Sequence, residues 1–314
     1  VGTTSRRSGA LLLALTSFGA ACSSADTAPQ ALPVNVNTES TVPDSTGAPV
    51  NLFRTGRTLV IPHGGGDGLY PENTLFAYEQ SQELGGDVID IDVRVAADGV
   101  LVAFHDSTLD RTTNGTGSVD ALTSVELGQL DAGFHFEVDG AFPFRGQGIG
   151  VPTVEEIMRA FPDTLTTIDL KNAGATPVQP VCDLLQELGR TDDVYVGVET
   201  NAQPELFRAA CPEIFTSGTS AERQQRRAAQ AAGRSSSPVA QLVSQPGYRG
   251  SDGQPRIDAE YIEFAQASNS AVFTWVIDDR ETLTELIEMG IDGIYTRRPD
   301  IMLDVLDELG LSAS

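Results

Sequence analysis

From Leu59 onward the chain alternates short β-rich runs with amphipathic helical stretches, and this alternation restricts the fold more than any other feature. Strands are expected at Leu59–His63, Val88–Val93, Leu101–His105, Leu165–Leu170, Val194–Val198, Ile214–Ser217, Gln241–Ser244, Val272–Ile277 and Gly293–Thr296. Helical periodicity fills most intervals, at Thr74–Leu84, Val154–Phe161, Val178–Leu188, Glu205–Ala210, Ala221–Ala232, Ala259–Ala267 and Glu281–Met289. Strand–helix repeats imply parallel strands joined by helical crossovers. Residues 56–314 form the expected folded domain, and a length of roughly 250 residues suits a single α/β domain of the (β/α)8 barrel type. Nine candidates compete for eight places, so either Leu101–His105 or Gln241–Ser244 is an accessory strand. Gly115–Gly150 carries few strong signals and reads as a small insertion after the third strand.

The N-terminus reads as a targeting segment over residues 1–22. Arg6-Arg7 precede an apolar run from Ala10 to Ala21, too short to span a bilayer as a helix. Ser5-Arg6-Arg7 is compatible with twin-arginine export, although Gly9 stands where that signal usually has a bulky apolar residue. Gly19-Ala20-Ala21-Cys22 resembles a bacterial lipobox with Cys22 as the lipidated residue. Gly19 replaces the usual Leu, which leaves a secreted soluble form as the alternative. Residues 23–55, rich in Ser, Thr, Pro, Asn and Asp, read as a flexible tether. Export leaves Cys182 and Cys211 as an even pair, and oxidising compartments favour their disulfide over two buried thiols.

A net charge of −24 argues against nucleic-acid binding and against simple electrostatic docking on anionic membranes. Membrane attachment is expected only through the lipid anchor. An anionic substrate would have to be captured by local cations or a metal. Lys171 is the one lysine in the sequence.

The chemistry gathers at strand ends. The first strand closes on His63-Gly64-Gly65-Gly66, followed by Pro71-Glu72-Asn73-Thr74 at a helix start. Glycines there allow close backbone approach and leave amides for an anion. Asp90-Ile91-Asp92 places two carboxylates on one strand face, and Asp169-Leu170-Lys171 repeats that spacing. His105-Asp106 ends the third candidate strand. Each cluster alone has an ordinary structural explanation, but together they converge on one barrel mouth. Grouped carboxylates are costly unless a cation neutralises them, which implies a hard divalent ion, Ca²⁺ or Mg²⁺, on Asp90, Asp92 and Asp169.

These residues resemble the glycerophosphodiester phosphodiesterase family. The resemblance runs from about Val60 to Asp131, through His63, Pro71–Thr74, Asp90-x-Asp92, Asp98-Gly99, His105-Asp106 and Leu109–Gly115. It resumes at Val151–Thr153, Asp169-x-Lys171, Thr274–Val276 and Gly290–Thr296. The resemblance implies a TIM barrel that hydrolyses glycerophosphodiesters to glycerol 3-phosphate and an alcohol with a divalent metal. It also implies metal ligands at Asp90, Asp92 and Asp169, acid–base roles for His63 and His105, and substrate contacts from Glu72, Lys171 and Trp275. A substrate hydroxyl is implied as first attacker, through a cyclic phosphate. Three departures stand out: Gly64 replaces the usual Arg, and Asp90 and Asp169 replace Glu.

Arg297 or Arg298, on the loop after the last strand, is expected to supply the charge that Gly64 lacks, with Arg94 as a competing donor. His135 reads as a surface or packing residue. Arg223, Arg226, Arg227 and Arg234 read as a solvated helix face. The alternative functions are a non-catalytic glycerophosphodiester-binding lipoprotein and a phosphodiesterase acting on sphingomyelin-like or inositol lipids. No oligomeric state is legible.

Overall fold

A computed structural model describes residues 50–171, 177–197, 203–234 and 243–312. The targeting segment with Cys22, and the tether up to residue 49, lie outside the described residues.

The elements run β1 (Leu59–Pro62), α1 (Leu75–Leu84), β2 (Val88–Val95), β3 (Leu101–Ala103), α2 (Ser124–Gly128), α3 (Val154–Ala160), β4 (Leu165–Leu170), α4 (Val178–Leu188) and β5 (Val194–Gly197). They continue with α5 (Gln203–Ala210), β6 (Phe215–Thr216), α6 (Ser220–Ala231), β7 (Val243–Ser244), α7 (Ala259–Gln266), β8 (Ala271–Thr274), α8 (Arg280–Glu288), β9 (Gly293–Thr296) and α9 (Pro299–Glu308). Two sheets result, ordered β1-β9-β8-β7 and β3-β2-β4-β5-β6. They meet at a parallel bridge from Ser217 to Val243 and at the Asp87 amide, which donates to the Val60 carbonyl at 2.9 Å. Helices connect the parallel strands, giving an α/β fold of barrel-like architecture.

The accessory strand is β3. It pairs antiparallel with β2, Val93 opposite Ala103, whereas β7 pairs parallel with β8. The reason is the connection: Ala96–Val100 closes a tight turn, its Ala96 amide donating to the Val100 carbonyl. So short a link joins only antiparallel strands. The segment after β3 also holds a helix that the sequence reading passed over. Thr123 and Glu126 form a reciprocal capping box that starts α2.

The tether boundary at residue 55 needs correction. Phe53 is fully buried, its ring edge-on to Tyr195 at 5.0 Å and to Phe273 at 6.1 Å. It packs with Leu59, Ile61, Val88, Leu165, Val243 and Tyr295, drawn from strands of both sheets. The Asn51 amide donates to the Asn269 carbonyl at 2.8 Å. Ordered packing therefore begins by Asn51, because an aromatic plug closes the space between the sheets.

The arginines of α6 also need correction. Among the described residues α6 buries no side chain of its own. Arg226 donates to Ser270 at 3.1 Å, and the Arg227 guanidinium lies 4.2 Å from the Tyr261 ring centre. The arginines thus supply packing contacts through their stems and planes rather than forming a purely solvated face.

Cys182 on α4 and Cys211 after α5 are joined as a disulfide, with Cα atoms 5.9 Å apart. Closing a loop of about thirty residues stabilises the fold by about 2–4 kcal/mol. Urea unfolding with and without reductant is expected to differ by that amount; coincident curves would remove the bond from the stability of the domain.

Candidate active site

The site is built on the ends of β1, β2 and β4. After Pro62 the chain turns at His63–Gly65, where Gly64 and Gly65 take left-handed φ of 53° and 86°. A β-carbon on Gly65 would stand 2.8 Å from that of Ala77 on α1, so glycine meets both the backbone and the packing demand. The turn brings Asp67 back over its own start, with Asp67 Oδ2 3.3 Å from His63 Nδ1. The expectation of free amides is not met in this turn. Gly64 donates to Asp90 Oδ2 at 3.0 Å, Gly66 to the His63 carbonyl and Gly68 to the Arg297 carbonyl.

Parallel pairing of β2 with β4 sets Asp92 opposite Asp169 and Asp90 opposite Thr167. Thr167 Oγ1 donates to Asp90 Oδ1 at 2.7 Å. Lys171 Nζ lies 3.1 Å from Asp92 Oδ1 and 3.4 Å from Asp169 Oδ2, bridging the two strands. Asp169 leans over Gly197 of β5, where a β-carbon would fall 1.8 Å from Asp169 Oδ1. Only glycine at 197 leaves that carboxylate its place.

Asn73, within the Pro71–Thr74 block, holds Asp92 from two sides. Buried and left-handed (φ 54°), it donates Nδ2 to Asp92 Oδ2 at 2.7 Å. Its Oδ1 accepts from the Asp92 amide and from Tyr78 Oη, both at 3.0 Å.

Burial pushes the Asp90 carboxyl above its usual range; the charge of His63 opposes this, while Asp92 and Asp169 add to it. For His63, burial acts downward but is outweighed by Asp67, Asp90 and Asp92, which raise it to about 9.

His105 lies just past β3, with Nδ1 2.7 Å from Asp106 Oδ1. Arg111 hydrogen-bonds Asp106 and holds it down to about 2, against the opposing effect of burial. Glu72 meets Arg111 rather than open solvent, accepting from both terminal nitrogens at 2.6 and 2.7 Å. Arg94 donates twice to the His105 carbonyl. That places Arg94 behind His105, a different position from the phosphate donor expected.

A cleft of about 640 Å³ is lined by Asp67, Glu72, Arg111, His135, Arg297 and Arg298, among others. His135 is exposed on its wall, edge-on to Phe134, so its surface placement holds with a cleft-facing addition. Arg297 and Arg298 reach the cleft but are paired with Asp278 and Asp300, at 2.5 and 2.6 Å. To stand in for the missing arginine, either would have to share its charge with its carboxylate partner, as Lys171 does with Asp92 and Asp169. Trp275, half exposed at the end of β8, is not part of the cleft lining, and neither are His63, His105, Asp90, Asp92, Asp169 and Lys171.

Known proteins bear on this geometry. The chain is 27% identical over 264 residues to a glycerophosphodiester phosphodiesterase of Caldanaerobacter subterraneus subsp. tengcongensis, covering 81% of this chain and 100% of the relative. A crystal structure of glycerophosphodiester phosphodiesterase from Agrobacterium tumefaciens matches with a TM-score of 0.62 at 27% identity, covering 78% of this chain and 98% of that one. An Oleispira antarctica phosphodiesterase in complex with the product sn-glycerol-3-phosphate shares the fold, with a TM-score of 0.64 at 22% identity over 81% of this chain and 99% of that one. Residues 63–301 match the glycerophosphoryl diester phosphodiesterase family from its first histidine to α9, and the chain belongs to that family.

Proposed function

We propose that this phosphodiesterase hydrolyses glycerophosphodiesters to glycerol 3-phosphate and an alcohol by histidine acid–base chemistry, on a single (β/α)8 barrel with an insertion after β3. One observation carries the reading: His105 Nδ1 is hydrogen-bonded to Asp106 at 2.7 Å, while His63 Nδ1 stands 3.3 Å from Asp67 without a hydrogen bond to it. A carboxylate on Nδ1 fixes the ring and directs Nε2 to the reacting oxygen. One imidazole takes the proton of the attacking hydroxyl and the other protonates the departing alcohol. Holding the glycerol hydroxyl beside phosphorus makes internal attack favourable; it expels the alcohol and leaves a cyclic phosphate, which water then opens to glycerol 3-phosphate.

Among the described residues no three His, Cys, Asp or Glu side chains stand ready together to hold a metal. The donor chemistry nevertheless fits a hard divalent ion: Asp90, Asp92 and Asp169 would offer only carboxylate oxygens, and the charges of Asp92 and Asp169 add to burial in holding the Asp90 carboxyl above its usual range. We propose Ca²⁺ or Mg²⁺ at these three residues, competing with Lys171 for Asp92 and Asp169. When bound, the ion supplies charge stabilisation to the phosphoryl group. Lys171 supplies a further cation, and Asn73 keeps Asp92 oriented. Following glycerophosphocholine by phosphorus NMR tests the activity: the expected product is glycerol 3-phosphate, and phosphocholine as product would refute it.

Export with lipidation at Cys22 is part of the same proposal. It is supported by the charged and apolar order of the N-terminal sequence and by a disulfide suited to an oxidising compartment. Among the described residues no helix is long and apolar enough to cross a membrane. The intact mass of protein from membranes should carry a diacylglyceryl addition at Cys22; an unmodified mature cysteine would favour the secreted form.

A further inference from the structure

His105 sits on a loop two residues beyond β3, and its side chain is 43% exposed. A ring so placed gains little direction from packing, while proton transfer needs it held to within a fraction of an ångström. Two arginines meet that need from opposite ends. Arg94, on β2, donates Nε and Nη2 to the His105 carbonyl at 3.0 and 2.7 Å, fixing the backbone. At the imidazole, Nδ1 meets Asp106 Oδ1 at 2.7 Å, and Asp106 Oδ2 accepts from Arg111 Nε at 2.5 Å. The two terminal nitrogens of Arg111 are spent on Glu72, at 2.6 and 2.7 Å. Glu72 precedes Asn73, which grips Asp92, and Thr74, which caps α1. One guanidinium thus ties a loop histidine to the same short block that orients the buried carboxylate. A planar fork can hold two carboxylates in this way, whereas a lysine ammonium offers a point charge without that geometry.

We propose that Arg111 is a positioning residue: through Asp106 it fixes the His105 imidazole with Nδ1 toward Asp106 and Nε2 toward the reacting group, and it anchors that arrangement to Glu72. This rests on the reading that His105 moves a proton. An exposed ion pair with no such role would contribute little to stability and nothing to turnover.

The sequence has only three histidines, so imidazole nitrogen NMR on histidine-labelled full-length protein resolves each, with His135→Gln assigning the third. The parent should show His105 as the Nδ1–H tautomer. Arg111→Ala should mix the two tautomers and lower kcat for glycerophosphocholine by about ten- to a hundredfold, the size of loss expected for a misplaced catalytic group, with KM changing far less. Arg111→Lys, which keeps the charge, should recover only part of the loss. Circular dichroism of both variants should match the parent. If Arg111→Ala and Arg111→Lys keep the parental kcat and the parental tautomer, the proposal is wrong. A parent that releases no glycerol 3-phosphate would instead overturn the functional reading, and the tautomer spectra would still decide whether Arg111 fixes the ring.

Discussion

Replacing His63 or His105 by alanine is expected to lower turnover of a glycerophosphodiester by at least about a hundredfold, the lower end for general acid–base catalysis. The fold should survive, because both rings stand at the ends of strands and are partly exposed, with 30% and 43% of their side-chain surface accessible. The two variants should differ in stability, however. His63 lies among Asp67, Asp90 and Asp92, which raise it from 6.5 to about 9 despite burial. A group whose pKa rises on folding stabilises the native state below its unfolded value and loses that contribution as pH climbs through the folded one. In chelator, the stability advantage of the parent over His63→Ala should therefore be full below about pH 6.5 and fade toward pH 9. Urea unfolding across that range checks the sign. An advantage that grows with pH would mean that the carboxylates do not hold the His63 proton. Near-parental turnover in either variant would return that histidine to a structural role.

The second large effect is expected at Asn73. Its amide gives Asp92 Oδ2 a donor and gives the Asp92 amide an acceptor, a pair of contacts that a carboxylate of the same shape cannot reproduce. Asn73→Asp would keep the acceptor, lose the donor and set a second negative charge against Asp92, which is 4% exposed. An uncompensated buried charge costs about 3–5 kcal/mol. The new carboxyl would escape by staying protonated, so its folded pKa lies above the unfolded one, and the penalty should shrink as pH falls from about 7 to about 5. Activity should fall with stability, because Asp92 must then share a proton or move. A loss below about 1 kcal/mol with full turnover would show that Asn73 does not govern Asp92.

Much of this was readable before any coordinates. Leu165–Leu170, Gly293–Thr296 and Val178–Leu188 fall where their patterns place them, because a buried strand and an amphipathic helix each leave a local periodic trace. Asp92, Asp169 and Lys171 come together because a spacing of two in neighbouring parallel strands leaves little freedom, while Asp90 sits one step back opposite Thr167. What the sequence hid depends on tertiary contacts. Asp67 reaches His63 only because the glycine turn folds back, and Arg111 meets Glu72 across thirty-nine positions. Phe53 looked like an isolated apolar residue in a polar tether because its partners Tyr195 and Phe273 are remote in sequence. The role of β3 was nearer the surface of the sequence, since the Asp98-Gly99 turn already forbids a helical crossover. Arg297 was legible as a cation near the mouth, whereas its pairing with Asp278 was not.

The most direct measurement is glycerol 3-phosphate release from glycerophosphocholine by chelated protein as Mg²⁺ or Ca²⁺ is added back, with Asp92→Asn alongside. The expected result is no turnover in EDTA, restoration by one of the two ions, and a higher metal concentration for half-activity in Asp92→Asn, with metal affinity weakened more than folding. Full activity in EDTA would contradict the assignment of Asp90, Asp92 and Asp169 as a divalent-ion site.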